Sequence, residues 1–252
     1  MSDLILTDVA DGRASVILNR PAARNALSLE LIEALADHVD TIARSCEAGE
    51  VRVLILGGAE TAFCAGMDLK AVMSDPPGMQ RMLRGLAGVL RGIRQLPVPT
   101  ISRVQGAAIG GDCGLMVVTD FSVTHAEARI GYPEVSLGLC PAVVAPWLMR
   151  RVGPGRARAM LLAGRTVTGL EALDLGLATH LVELDAIDDQ TDQLARTLAE
   201  GSPQALGTTK HWLNELEGLL DETTLMKGAD LSAEVLAGAE AQSRLRARFG
   251  AG

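Results

Sequence analysis

Pro99-Thr100-Ile101-Ser102-Arg103-Val104 and, one residue later, Gly106-Ala107-Ala108-Ile109-Gly110-Gly111 decide the fold class of this chain. The first run reads as a buried strand, and the second is a glycine-rich turn that leads into a helix beginning near Asp112. The same order occurs upstream, where the compact apolar run 51–56 ends in Gly57-Gly58 and a loop leads to Phe63-Cys64-Ala65-Gly66-Met67-Asp68-Leu69. A further strand is expected over 119–125. Strand, glycine loop and helix in succession predict a parallel α/β arrangement rather than a sandwich or a helix bundle. The order of the strands in the sheet is not legible.

Working outward, residues 4–9 and 13–19 flank Ala10-Asp11-Gly12 and predict a hairpin. Ser28 is a candidate cap for a helix whose Leu29, Ile32, Leu35, Ala36 and Val39 fall at helical spacing. Pro76-Pro77-Gly78 reads as an exposed break within 73–78, before a helix from Met79 to Gln95. Helix formers dominate from Leu170 onward, with a short strand expected at 178–183. Gly201-Ser202-Pro203 divides an α/β body, residues 1–200, from a helical region, residues 201–252. In that region Leu213, Leu216, Leu219 and Leu220 need a partner surface, which oligomerisation would supply.

The 252 residues are 48% hydrophobic, enough for a substantial core. A formal net charge of −8 with intermixed signs leaves no basic field for nucleic acid. No apolar run has the length of a membrane span, and the first nine residues carry Asp3 and Asp8 without a basic leader. Cys46, Cys64, Cys113 and Cys140 are scattered without paired spacing. Together with the isolated histidines His38, His125, His180 and His211, they offer no metal-ligand pattern. The expectation is a soluble, cytoplasmic, metal-free enzyme-sized protein.

Both glycine loops follow predicted parallel strands, and ligands of such sheets gather beyond the carboxyl ends of the strands. A helix starting at Gly111 or Asp112 would present free N–H groups and a dipole suited to a developing negative charge. Close helix–strand packing explains clustered glycines equally well. Walker-type and dinucleotide loops are unsupported, because no Gly-Lys-Ser/Thr follows and the spacing is not GxGxxG. Ser136 lacks the first glycine of a nucleophile elbow.

Asn19-Arg20-Pro21, the segment from Phe63 to Leu69, the segment from Gly106 to Gly114 and Tyr132-Pro133-Glu134 together resemble the enoyl-CoA hydratase/isomerase (crotonase) family over nearly the whole chain. The resemblance implies an α/β spiral of ββα units with a C-terminal helical region used in trimer formation. It implies acyl-CoA thioester substrates, with coenzyme A entering as part of the substrate and no separate cofactor, and a homotrimer or dimer of trimers. By the same carry-over the backbone N–H groups of Met67 and Gly111 form the oxyanion hole, and Ala65, Gly66, Gly110 and Gly114 line the substrate. Lys70 and Arg24 fall where relatives border coenzyme A. Asp68 is expected to fix its loop, and the basic segment 243–249 matches the family's ending only loosely.

Hydratases of this family use two glutamates. Here the second falls on Glu134, the expected catalytic group, and the first on Gly114, which has no side chain. Apolar neighbours predict a raised pKa for Glu134. Asp112 is expected to cap the helix rather than to perform chemistry. Three functions stay open: a one-glutamate enoyl-CoA hydratase, favoured because 137–146 resembles methylglutaconyl-CoA hydratases; a double-bond isomerase using Glu134 alone; and a catalytically weak acyl-CoA-binding subunit. Met79, Met82 and Leu83 either line the acyl pocket or belong to the core.

Overall fold

The computed structural model describes residues 3–72, 75–218 and 221–249. The hairpin forms as expected from Ile5–Ala10 (β1) and Arg13–Leu18 (β2), paired antiparallel. Its turn is tight because Asp11 and Gly12 both adopt positive φ, 51° and 75°. Leu29–Glu47 (α1) follows, capped by the Ser28 side chain, which accepts from the Leu31 N–H at 3.3 Å. Its buried stripe is Leu31, Ile32, Leu35, Val39 and Ile42.

Val53–Gly58 (β3) is next, then the short helix Leu69–Val72 (α2) and the long Pro76–Gln95 (α3). The expected break at Pro76-Pro77-Gly78 is the first turn of α3 instead. Asp75 caps it by accepting from the Gly78 N–H at 3.0 Å, and proline is tolerated there because first-turn N–H groups have no intrahelical acceptor. Met73 and Ser74 lie outside the described residues. Thr100–Val104 (β4), Ala108–Ile109 (β5), Gly111–Val118 (α4) and Phe121–Thr124 (β6) complete the central strand–loop–helix pattern. Arg129–Gly131 (β7), Ala145–Val152 (α5), Pro154–Ala163 (α6), Thr166–Thr168 (β8), Gly169–Leu175 (α7) and His180–Leu181 (β9) lead to Ile187–Ala199 (α8).

The main sheet has the order β1-β2-β3-β4-β6-β9, parallel everywhere except in the opening hairpin. A second sheet, β5-β7-β8, stands beside it. One face of the main sheet meets α1, α3 and α4 in the larger core. The other buries Val53, Ile101 and Val123 against Ile187 and Ala195 of α8. Strands covered on both faces read as continuous apolar runs, which is why β3 and β4 were legible.

Pro203–Leu216 (α9), Glu222–Ala237 (α10) and Ala239–Phe249 (α11) close the chain. Leu225, Ala229, Leu236, Ala241 and Leu245 of the last two helices lie in the larger core itself. α10 rests on α3, where Arg84 Nε and Gln80 Nε2 donate to Asp230 Oδ1 at 2.9 and 3.0 Å. Leu213 and Leu216 are exposed; Leu219 and Leu220 lie outside the described residues.

Candidate active site

The loop after β3 is tied down on both sides, and its hydrogen bonds determine which N–H remains. Cys64 N–H donates to Ala107 O and Ile109 N–H to Cys64 O, a parallel bridge at 2.9 and 3.2 Å that fastens the loop to β5. Ala65 N–H donates to Arg24 O at 3.1 Å. Leu27 N–H donates to Gly66 O at 3.0 Å, and Asp68 N–H to Leu27 O at 2.8 Å. In such a bridge the central residue of the outer strand turns its own N–H away from its partner. Met67 is that residue, and among the described residues its N–H meets no acceptor.

The second donor arises from the start of α4. Gly110, at φ 67°, donates to Gly131 O at 2.7 Å, and its own carbonyl accepts from Cys113 N–H at 3.0 Å. Gly111 N–H stands in the first helical turn, where no intrahelical acceptor exists, and among the described residues it has none elsewhere. Met67 Cγ and Sδ lie 3.4 and 3.5 Å from where a Gly111 Cβ would be, so the two donor residues border one cavity.

Asn25, fully buried at φ 58°, organises the base of this arrangement. Its Oδ1 accepts from Arg20 N–H at 2.9 Å, and its Nδ2 donates to Ala59 O and Ala62 O. Asp68 pairs with Arg20 at 2.8 Å, so its carboxylate holds the loop. Arg24 and Lys70 are exposed, without an ion-pair partner among the described residues. Lys70 sits one residue beyond Leu69, which lines the cavity.

Glu134 opens a one-turn 3-10 helix, Glu134–Leu137, after Pro133. Its Oε1 is 3.1 Å from where a Gly110 Cβ would stand, and its Oε2 is enclosed without a hydrogen-bond partner among the described residues. Burial pushes the carboxyl up to about 7, a backbone hydrogen bond opposing only in part. The cavity has an empty volume of about 410 Å³, its mouth included. Leu83, Leu86, Val144 and Leu236 supply apolar wall, with Glu134, Cys140 and Ser232 its polar side chains. Met79 and Met82 belong to the core, whereas Leu83 faces the cavity.

At Gly114 a side chain could enter only by displacing its neighbours. A Cβ there would lie 2.7 Å from Val144 Cγ1 and 3.3 Å from Leu90 Cδ1, so apolar side chains already fill the space. The Asp112 side chain lies outside what is described. Among the described residues no group of three acidic, histidine or cysteine side chains could hold a metal ion, and no helix is long and apolar enough to cross a membrane.

A buried carboxylate facing two unpaired backbone donors is a device for moving protons next to a polarised carbonyl. In comparison with known proteins, residues 9–245 match the enoyl-CoA hydratase/isomerase family. The chain belongs to this family. It is 36% identical over 221 residues to methylglutaconyl-CoA hydratase 1 of Pyricularia oryzae, a match covering 75% of this chain and 63% of that longer protein. Identity to 1,2-epoxyphenylacetyl-CoA isomerase of Escherichia coli is 33%, over 86% of this chain and 84% of the relative. The crystal structure of an enoyl-CoA hydratase from Mycobacterium smegmatis superposes with a TM-score of 0.82 at 28% identity, covering 99% and 97% of the two chains. The spiral α/β fold expected from the resemblance is therefore present, and the protein is an acyl-CoA enzyme of the enoyl-CoA hydratase/isomerase family.

Met67, Gly111 and Glu134 line one cavity, with Gly110 beside Glu134; Ala65 and Gly66 stand in the adjoining loop outside its lining, and Gly114 packs against Val144 and Leu90. The sequence reading missed Asn25, Cys140, Val144, Ser232 and Leu236. Only Asn25 carried a local signal, since asparagine tolerates positive φ in a turn. The others arrive from distant segments.

Proposed function

We propose that this enzyme shifts the double bond of an enoyl-CoA thioester, with Glu134 as its only proton carrier. The observation carrying this reading is the Val144 and Leu90 packing at Gly114, which leaves Glu134 the one carboxylate among the described lining residues of a largely apolar cavity. The thioester oxygen accepts from Met67 N–H and Gly111 N–H. Glu134 removes a proton from C2 of a 3-enoyl group, electron density passes to the oxygen as a dienolate, and the same carboxyl returns the proton at C4. The product is the conjugated 2-enoyl thioester, and no atom is gained or lost. Each backbone donor is worth about 2.7–4 kcal/mol to the transition state.

Hydration with a single glutamate is the second reading, favoured by the hydratase relative. Water addition requires a water held by two or more polar partners, and beyond Glu134 the lining offers the Cys140 thiol and a Ser232 hydroxyl that donates to Cys140 O at 2.8 Å. Incubation with a 3-enoyl-CoA and with crotonyl-CoA, followed by ultraviolet absorbance and product mass, separates the readings. Conjugation without mass change supports isomerisation; a gain of one water on crotonyl-CoA overturns it. Acyl-CoA binding without either reaction would return the protein to the binding-subunit reading.

A further inference from the structure

A second polar cavity lies on the opposite end of α4 from the oxyanion donor. Trp147, Arg150 and Arg151 of α5 stand at i, i+3 and i+4 and share one face, which lines the cavity with Arg94 from the last turn of α3, Val117 of α4 and Glu217 after α9. Its empty volume is about 470 Å³, mouth included.

Charge within this cluster is not balanced. Asp120 takes Lys210 at 2.7 Å and Arg94 at 3.4 Å, and Glu217 takes the other side of Arg94. Arg150 donates to the carbonyls of Pro146, Glu217 and Gly218, and Arg151 to those of Leu177, Thr119 and Asp120 and to Ser122 Oγ. Neither has a carboxylate within ion-pair distance among the described residues. Four cations therefore stand against two carboxylates in a chain whose net charge is −8. Burial lowers both the Arg150 and Arg151 guanidiniums, and the charge of Arg94 acts in the same direction.

Trp147, 2% exposed, lines the cavity, and its buried indole N–H has no acceptor among the described residues. An unmet buried donor beside two guanidiniums that lack a carboxylate partner suits an acceptor that carries negative charge. We propose that this cavity binds a tetrahedral oxyanion of the phosphate class, held by Arg150, Arg151 and the Trp147 indole N–H. Glu217 competes with that anion for Arg94, being half-exposed at the cavity and of the same charge.

This competition distinguishes a binding site from a purely structural charge network. Titration calorimetry of the assembled protein with inorganic phosphate, against chloride at equal ionic strength and with coenzyme A saturating the active site, is expected to show binding. Arg150→Met should weaken it tenfold or more. Trp147→Phe, which keeps the ring and removes only the donor, should weaken it severalfold without moving Tm in phosphate-free buffer. Glu217→Gln should tighten it at least threefold, whereas a structural network predicts no gain. Absence of phosphate heat in the wild type, loss of binding when coenzyme A is added, or indifference to Trp147→Phe and Glu217→Gln would overturn the proposal.

Discussion

Replacing Glu134 by glutamine tests the central feature of the site through stability as well as rate. In the folded protein this carboxyl titrates at about 7, against an ordinary value of 4.5. Between these values the native state holds a proton that the unfolded chain has released, so the native state binds more protons and stability must fall as pH rises. The gap corresponds to about 3 kcal/mol, fully present below pH 4.5 and lost as pH rises through about 7. Glutamine carries no charge across this range, so Glu134→Gln should match the wild type near pH 4, exceed it by about 1 kcal/mol at pH 5 and by up to about 3 kcal/mol near pH 9. Activity runs oppositely. A base must be ionised, so kcat/KM of the wild type should fall about tenfold per pH unit below 7, while the variant loses about 10²–10⁴-fold and the associated pH dependence. Urea unfolding at fixed protein concentration from pH 4 to 9, beside a kcat/KM profile, reads both. Parallel stability curves for the two proteins would refute the buried-carboxyl argument.

Three further substitutions follow from distances in the same region and its support. Gly110→Ala places a Cβ 3.1 Å from Glu134 Oε1 at a φ of 67°, so it should cost about 1–3 kcal/mol and reduce kcat more than KM, measured by thermal unfolding and steady-state kinetics. Gly114→Glu should fail to create a hydratase: the carboxylate would displace Val144 and Leu90 without a partner, destabilising by more than about 3 kcal/mol, and water addition by a stable variant would contradict this. Lys210→Met removes the buried ammonium that donates to Val98 O and Asp120 Oδ2; about 2–3 kcal/mol of stability should go, with kcat of the remaining folded enzyme unchanged.

Elements that carry their own hydrophobic period or turn chemistry were legible: the hairpin, α1 with its Ser28 cap, and the doubly covered strands β3 and β4. The sheet β5-β7-β8 was not, because runs of two or three residues have no measurable period. It is held by isolated contacts such as Gly110 N–H to Gly131 O and Tyr132 N–H to Arg165 O. Helices α5 and α6 were missed between Pro141 and Leu170, where proline and glycine interrupt the pattern although Pro146 and Pro154 stand in first turns. In the site, the donors and Glu134 were reachable through motif resemblance. Val144, Ser232 and Leu236 were not, since nothing in a helix sequence states which cavity its face will close.

That missing information bears on the chemistry. The pKa of Glu134 is high because burial removes water from its carboxylate, and the burial depends on an apolar wall that includes Val144. Val144 reaches its position because residue 114 has no side chain. A glutamate at 114 would therefore bring a second negative charge and displace part of the apolar wall beside Glu134. Each effect would alter the first carboxylate, by repulsion in one case and by renewed hydration in the other. Absence of the first glutamate and elevation of the second are thus one packing arrangement. The helices α10 and α11 extend it, since Ser232 and Leu236 line the cavity and Arg244 Cδ lies 2.8 Å from where a Cβ would stand on Gly138, at the end of the turn that carries Glu134. The C-terminal segment thus helps shape the environment of the proton carrier within its own chain, and a substitution there that admits water should lower the carboxyl pKa without touching it.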